Sequence, residues 1–256
     1  MTSAAACAPT LRSRFLEPLR EATAFLTPAS HSERAPSPAA MELFPVVGAG
    51  IGLIEGIVWC GARRMWPDLP AAALAVAADV ALTGALHLDG LADAADGLFA
   101  HVPVKDRLEI MAEPDLGTFG ATALVLSLLA RAAALSSLEP SPLLLSALTC
   151  CSRSVMVVAS RALPYARDAG LVTPFLPTTG GPDAARRFAI AGIGASVLLA
   201  GIGHGRRGVL GLLAGCVSGA AVLAVSRRRV GGFTGDVLGA AGVVCETIGL
   251  LVAASR

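Results

Sequence analysis

Residues 69–100 read LPAAALAVAADVALTGALHLDGLADAADGLFA, and this stretch decides how the chain must fold. Its first 18 positions carry a single charge, at Asp79. Such a run is nearly long enough for a helix that crosses the hydrocarbon core of a membrane. The 14 positions that follow carry three aspartates. An apolar segment therefore leads directly into an acidic cluster, and the rest of the chain is interpreted around that boundary.

The composition of the whole chain is typical of an integral membrane protein. Of its 256 residues, 54% are hydrophobic and only 15% are charged, and the mean hydropathy is +0.68. The formal net charge is +1, and the arginines are scattered between apolar stretches. We therefore expect no basic surface for nucleic acid.

Seven apolar stretches come close to the roughly 20 residues that a membrane-spanning helix needs. They cover residues 42–62, 69–88, 118–138, 142–160, 187–204, 208–226 and 237–254. The sequence therefore predicts an all-α fold, a polytopic membrane bundle of about seven transmembrane helices, with a catalytic domain at 41–256. Residues 1–40 are expected to form an N-terminal arm, with an interfacial helix at 11–27 and a Pro/Ser-rich linker at 28–40.

Lys and Arg are distributed unevenly between the two sets of connections. The N-terminal arm and the loops after the second, fourth and sixth stretches hold 13 of the 20 Lys and Arg residues, and the opposite side holds five. The positive-inside rule therefore predicts a cytoplasmic N-terminus. The same loops carry the unusual polar clusters, so we expect the active site to face the cytoplasm.

Asp89, Asp93 and Asp96 lie at positions i, i+4 and i+7, so on a helix they share one face. Carboxylates that close repel one another unless a cation compensates for their charge. Oxygen ligands without His or Cys favour Mg²⁺ or Mn²⁺, and magnesium usually completes its shell with waters and phosphate oxygens. The cluster predicts a metal site for a phosphorylated substrate. The alternative is a solvated helix end whose aspartates only keep it out of the lipid.

Two further polar clusters follow later apolar stretches. The segment VGGFTGDVLGA (230–240) leads into the last apolar stretch. The free N–H groups at the start of a helix, together with the hydroxyl of Thr234, suit a phosphate at this position. Asp236, read alone, is a typical N-cap. The other cluster holds Tyr165, the single tyrosine of the chain, close to Arg167. Read alone, that segment is an interfacial loop with an aromatic anchor.

Ionisable residues inside apolar stretches are costly and often functional. Arg153 lies in the cytoplasmic half of the fourth stretch, where it can reach substrate phosphates. His87 is close to Asp89, so it can carry a proton or donate a hydrogen bond to a metal ligand. The remaining buried charges can pair with each other, and they are Glu55, Asp79, Arg131 and Glu246.

Six motifs, in their order along the chain, resemble the cobalamin synthase family, whose members are also called adenosylcobinamide-GDP ribazoletransferases. They are HLDGLADAADG (87–97), RLEIM (107–111), LGTFGA (116–121), SR (152–153), YAR (165–167) and GGFTGDVLGA (231–240). The resemblance extends from FLT (25–27) to the last apolar stretch, so it covers nearly the whole chain.

The resemblance implies a multi-pass, Mg²⁺-dependent enzyme of the bacterial inner membrane. Such an enzyme joins adenosylcobinamide-GDP to α-ribazole, or to α-ribazole 5′-phosphate, and releases GMP. Its expected partners include membrane lipid. Assembly into a homo-oligomer is an open alternative. Its acidic motif implies metal binding and catalysis by Asp89, Asp93 and Asp96, with Asp96 also a candidate base and His87 beside them. Its other motifs imply substrate binding by Arg153, Tyr165, Arg167, Gly232, Thr234, Gly235 and Asp236, with Asp236 also a ligand of a second ion.

Two other functions share some of these features. A CDP-alcohol phosphotransferase of phospholipid synthesis also uses clustered aspartates and a diphosphate donor. Its usual signature, DG..AR, is absent here because Asp93 follows Ala92 and no Arg is present. A small-molecule transporter would also have several spans and buried charges, but its acids should cluster near the bilayer midplane.

Overall fold

The computed structural model describes residues 15–28, 36–176 and 184–255. Within these ranges the chain is helical, and its one extended pairing is a parallel bridge between Tyr165 and Phe233. The predicted all-α class is confirmed. In chain order the helices are α1 (Glu17–Leu26), α2 (Phe44–Arg63), α3 (Asp68–Thr83), α4 (Leu86–Phe99), α5 (Val104–Ile110), α6 (Thr118–Ser136), α7 (Pro142–Ala162), α8 (Ala184–Val230) and α9 (Gly235–Ala253), with short 3-10 turns at Ala40–Leu43 and Thr173–Phe175.

The long helices are those of a multi-pass membrane protein. Among the described residues, five segments are long and apolar enough to cross a membrane, namely α2 with its preceding turn, α6, α7, α8 and α9. Helices α3 and α4 pass the same test together, as a pair bent by 91°. Helix α8 is broken at His204 and Gly205, and Gly208 packs against Ala200, so its second half turns back along the first. The number of seven crossings and the cytoplasmic N-terminus stay predictions.

The second apolar stretch differs from its prediction as a continuous helix over 69–88. Helix α3 ends at Thr83, and both Gly84 (φ 59°) and Ala85 (φ 61°) adopt the left-handed conformation before α4 begins. That conformation costs an L-residue about 1–2 kcal/mol. The sequence does not mark the bend, because the residues on both sides of it are apolar. The three aspartates therefore lie on a separate helix that turns sharply away from the membrane segment.

Helix α1 packs onto the bundle as part of the same core. Its Ala22 and Leu26 are fully buried, and the ring of Phe25 stacks on that of Phe44 with 5.6 Å between centroids. Within the stretch 11–27, a helix is observed over Glu17–Leu26, and its position at the membrane interface stays a prediction. Residues 11–14, and 29–35 of the predicted linker, lie outside the described ranges, and the domain boundary at residue 40 stays a prediction.

A buried ion-pair network ties the middle of the bundle together. Arg131 of α6 lies 2.9 Å from Asp79 of α3, 3.7 Å from Glu55 of α2 and 3.6 Å from Glu246 of α9. Arg153 of α7 lies 2.7 Å from the same Glu246. All five side chains are almost fully buried. Because buried charges are tolerated only when paired, this network fixes the mutual positions of five helices.

Candidate active site

A cavity with an enclosed volume of about 110 Å³ lies where α4, α9 and the loop after α7 meet. His87 and Asp89 of α4 line it, together with Tyr165 and Arg167 of the loop and Asp236 of α9. Gly235 belongs to the same wall. Most of the polar residues that sequence analysis singled out therefore surround one space.

Helices α4 and α9 touch at Gly90. A Cβ atom at this position would lie 2.9 Å from the carbonyl oxygen of Asp236 and 3.0 Å from its Cα atom, so no larger residue fits without a shift. This close approach places the acids of α4 beside the start of α9. Asp93, which is partly buried, is within electrostatic range of both Asp89 and Asp236.

The loop after α7 is held to the glycine-rich segment by backbone hydrogen bonds. The N–H of Phe233 donates to the carbonyl of Pro164 at 3.0 Å, and the N–H of Ala166 donates to the carbonyl of Phe233 at 2.9 Å. A side chain at Gly232 would collide with the Pro164 carbonyl oxygen, which explains the glycine. The pairing brings the YAR and GGFTGD motifs into one unit.

This unit places a cation next to the acid of α9. Arg167 Nη2 lies 3.1 Å from Asp236 Oδ2, but it makes no hydrogen bond to any residue in the described ranges. Thr234 is the N-cap of α9, since its hydroxyl accepts from the N–H of Val237 at 3.2 Å. The Asp236 side chain is thus not the cap, contrary to the simpler interpretation of the sequence, and it lines the cavity instead.

Asp96 is engaged elsewhere. Its carboxylate accepts hydrogen bonds from the backbone N–H groups of Gly117, at 2.8 Å, and Gly120, at 2.9 Å. These are unpaired donors at the start of α6, and a carboxylate is well suited to satisfy them. Asp96 does share a helix with Asp89 and Asp93, as predicted, but the structure gives it a capping contact outside the cavity.

The sequence profile of cobalamin-5-phosphate synthases matches residues 18–254, which span helices α1 to α9. The chain belongs to the cobalamin-5-phosphate synthase family. This is the family that the six motifs resemble, so that prediction is confirmed.

Several curated relatives bear the name adenosylcobinamide-GDP ribazoletransferase. The relative from Citrobacter koseri is 37% identical over 213 residues, which cover 81% of this chain and 84% of the relative. The relative from Escherichia coli strain ATCC 8739 gives the same identity and coverage. The relative from Bradyrhizobium diazoefficiens is 36% identical over 248 residues, 93% of each chain. No solved structure gives a significant match.

Arg153 was predicted to contact substrate phosphates, but the structure places it in a different environment. Its guanidinium pairs with Glu246 and is 2% exposed, and it does not line the cavity. Gly232 and Thr234 also lie outside the lining, where they shape the loop and cap α9. The structure thus brings together His87, Asp89, Tyr165, Arg167, Gly235 and Asp236, with Asp93 next to them.

The apolar wall of the cavity has no counterpart in the sequence-based site. It includes Phe25, Phe44 and Phe175, whose rings contact one another, and two methionines, Met41 and Met156. These residues come from four segments of the chain and carry no charge or motif chemistry. The signal in the sequence is that all five residues lie within the region of family resemblance, which begins at FLT (25–27).

The side chains of the site fit a magnesium ion that is held by two carboxylates. Across residues 15–28, 36–176 and 184–255, no three His, Cys, Asp or Glu side chains are grouped so that they could hold a metal ion. Magnesium, however, is usually held by one or two carboxylates, with waters and substrate phosphates completing its shell. Asp89 and Asp93, one helical turn apart, fit such a site, whereas the predicted three-carboxylate cage is not formed.

Proposed function

We propose that this family member is an adenosylcobinamide-GDP ribazoletransferase, which joins adenosylcobinamide-GDP to α-ribazole or its 5′-phosphate and releases GMP. The observation that carries this is the single cavity in which the HLDG and GGFTGD motifs meet, in a chain whose curated relatives bear that name. Its location in the bacterial inner membrane and a cytoplasm-facing site are part of the proposal. The apolar helices support the membrane location, and the distribution of Lys and Arg supports the cytoplasm-facing site.

The reaction is a displacement at the phosphorus atom attached to cobinamide. The 3′-hydroxyl oxygen of ribazole forms the new P–O bond, the bond from that phosphorus to GMP breaks, and the hydroxyl proton passes to a base. The protein needs to supply little covalent chemistry. Positioning of the two substrates and neutralisation of phosphate charge should therefore dominate the rate.

Each cavity residue has a proposed role in that step. Asp89 and Asp93 would hold Mg²⁺, which would neutralise charge on the diphosphate and on departing GMP. Arg167 lines the cavity and pairs through Nη2 with Asp236, which orients it, and its other N–H groups contact a phosphate oxygen. His87 is 7% exposed and its Nδ1 has no partner in the described part of the chain, so we assign it as acceptor of the hydroxyl proton.

Asp96 was a candidate ligand and base, and its contacts favour a different role. Because its oxygens accept the N–H groups of Gly117 and Gly120, we propose that it positions α6 against α4. Arg153 likewise holds the bundle through Glu246 rather than contacting substrate.

The test is release of GMP by the purified protein given adenosylcobinamide-GDP and α-ribazole, with and without Mg²⁺. We expect turnover that requires Mg²⁺, and a loss of at least about 100-fold in Asp89→Asn, since removing a metal carboxylate should cost more than removing one hydrogen bond. Asp106→Asn, an exposed acid of α5, is the matched control and should retain normal turnover. Turnover of a CDP-alcohol instead of adenosylcobinamide-GDP, or normal Mg²⁺-dependent activity in Asp89→Asn, would overturn the proposal.

A further inference from the structure

We propose that the apolar wall of the cavity binds the benzimidazole base of α-ribazole and therefore defines the acceptor subsite of the enzyme. This inference rests on the proposed function and adds which part of which substrate enters the cavity. Phe25, Phe44 and Phe175 form the aromatic wall of this cavity.

The aromatic wall is a cluster of three rings in mutual contact, contributed by three segments of the chain. The Phe25 ring of α1 lies 4.7 Å from that of Phe175 and 5.6 Å from that of Phe44, and the last two are 5.3 Å apart. Phe25 is partly buried, whereas Phe44 and Phe175 are only 3% and 0% exposed, so the ring of Phe25 offers most of the accessible aromatic surface. Phenylalanine faces and the sulfur atoms of Met41 and Met156, which line the same space, suit a flat aromatic ligand.

The chemistry of the wall selects among the ring systems of the two substrates. Guanine carries polar atoms around its edge. Each of these atoms that is buried against phenylalanine without a hydrogen bond would lower the affinity for guanine. The dimethylbenzimidazole of α-ribazole has a single free ring nitrogen and two methyl groups, so it loses little on entering an apolar site. The wall therefore favours the ribazole base over the guanine of the donor.

The size of the cavity points to the same part of the same substrate. Its volume is about 110 Å³. A corrinoid is far too large for this space. In the proposed arrangement the base of α-ribazole lies at the apolar end, and the attached ribose extends towards the polar end.

That orientation agrees with the roles proposed for the polar residues. His87 and Asp89 share the cavity with the aromatic wall, so a base held by the wall presents its ribose hydroxyls to the side of the cavity where the proton acceptor lies. Helix α1 takes part in this subsite, because it supplies Phe25.

The test compares Phe25→Leu and Phe44→Leu with Phe188→Leu as control. Leucine keeps the apolar contact but removes the ring, and Phe188 is 43% exposed on α8, away from the cavity. We expect the KM for α-ribazole to rise at least about fivefold in both wall variants, the lower end of what base–aromatic stacking contributes. The KM for adenosylcobinamide-GDP should stay within about twofold, since stacking on the acceptor is the interaction removed. A rise in the KM for adenosylcobinamide-GDP instead, or no change in either, would overturn the inference.

Direct binding separates this inference from the proposed function. Calorimetric titration of α-ribazole into the purified wild-type protein, without the second substrate, should give an affinity that both wall variants reduce and Phe188→Leu preserves. Binding that follows this pattern in a protein without transferase activity would refute the proposed reaction and support the subsite. Transferase activity with α-ribazole affinity unchanged in the wall variants would support the reaction and refute the subsite.

Discussion

The three aspartates of helix α4 have identical side chains but different surroundings, and this difference assigns their roles. Asp89 lines the cavity and Asp93 lies beside Asp236, whereas Asp96 accepts two backbone hydrogen bonds from the start of α6. Sequence spacing alone predicts that the three lie on one helical face. It cannot predict which of them a neighbouring helix engages, because that depends on the tertiary packing of α6.

Asp96→Asn tests this distinction. Asparagine retains one carbonyl oxygen as acceptor but replaces the other oxygen with an amide, so one backbone N–H of α6 loses its partner. We expect a loss of about 1 kcal/mol, typical of a helix cap, seen as a lower apparent Tm in detergent. The Mg²⁺ concentration needed for half-maximal activity should not change. A shift in that concentration comparable with the effect of Asp89→Asn would show that Asp96 is a ligand.

Arg167→Gln tests the phosphate contact. Because the guanidinium faces Asp236 and leaves a donor free for substrate, its loss should reduce kcat/KM for adenosylcobinamide-GDP by roughly 10- to 100-fold, as expected for a hydrogen bond to a charged group. Steady-state kinetics with each substrate varied in turn give the measurement. Arg228→Gln, at an exposed position near the end of α8, serves as the control and should leave kcat/KM unchanged.

At the level of helices, the apolar patterns predict the long elements well, and the failures have local causes. The predicted stretch 142–160 appears as Pro142–Ala162, and 237–254 appears as Gly235–Ala253. The bend after α3 was missed because Gly84 and Ala85 lie in a run that stays apolar on both sides. The polar side of the cavity could be predicted from charged motifs. Its aromatic wall could not, because phenylalanines in an apolar chain are indistinguishable from core residues until the helices are packed.

Gly84→Ala tests whether the bend depends on the left-handed conformation. A Cβ at Gly84 would make only ordinary contacts, 3.6 Å from Pro28 at the closest, so strain at φ 59° is the cost. We expect about 1–2 kcal/mol of destabilisation, and a lower Tm by a few degrees. Gly61→Ala, at a helical glycine with nothing within 4 Å, is the control and should not lower the Tm. Equal melting of the two variants would show that the bend is held by packing alone.

At the scale of the whole molecule, the charged side chains buried between the helices connect five of them into one bundle. Three acids, Glu55, Asp79 and Glu246, face two arginines, so the described network carries one formal negative charge in excess. Such a network contributes little net stability by itself, but removing one member leaves the others unpaired in an apolar interior. It also lies apart from the cavity, since none of its members lines that space.

Arg131→Met should therefore be among the most damaging substitutions outside the active site. It leaves three buried acids with Arg153 alone, and breaking a buried pair typically costs about 3–5 kcal/mol. We expect a low yield of folded protein and a strongly reduced Tm in detergent. The double variant Arg131→Met/Asp79→Asn restores the wild-type formal charge of the network by also removing the acid 2.9 Å from Arg131. Its Tm should lie closer to that of the wild type than the Tm of the single variant does. If the two variants melt together, charge balance is not what this network supplies, and the contacts of the Arg131 side chain with its neighbours would account for the loss.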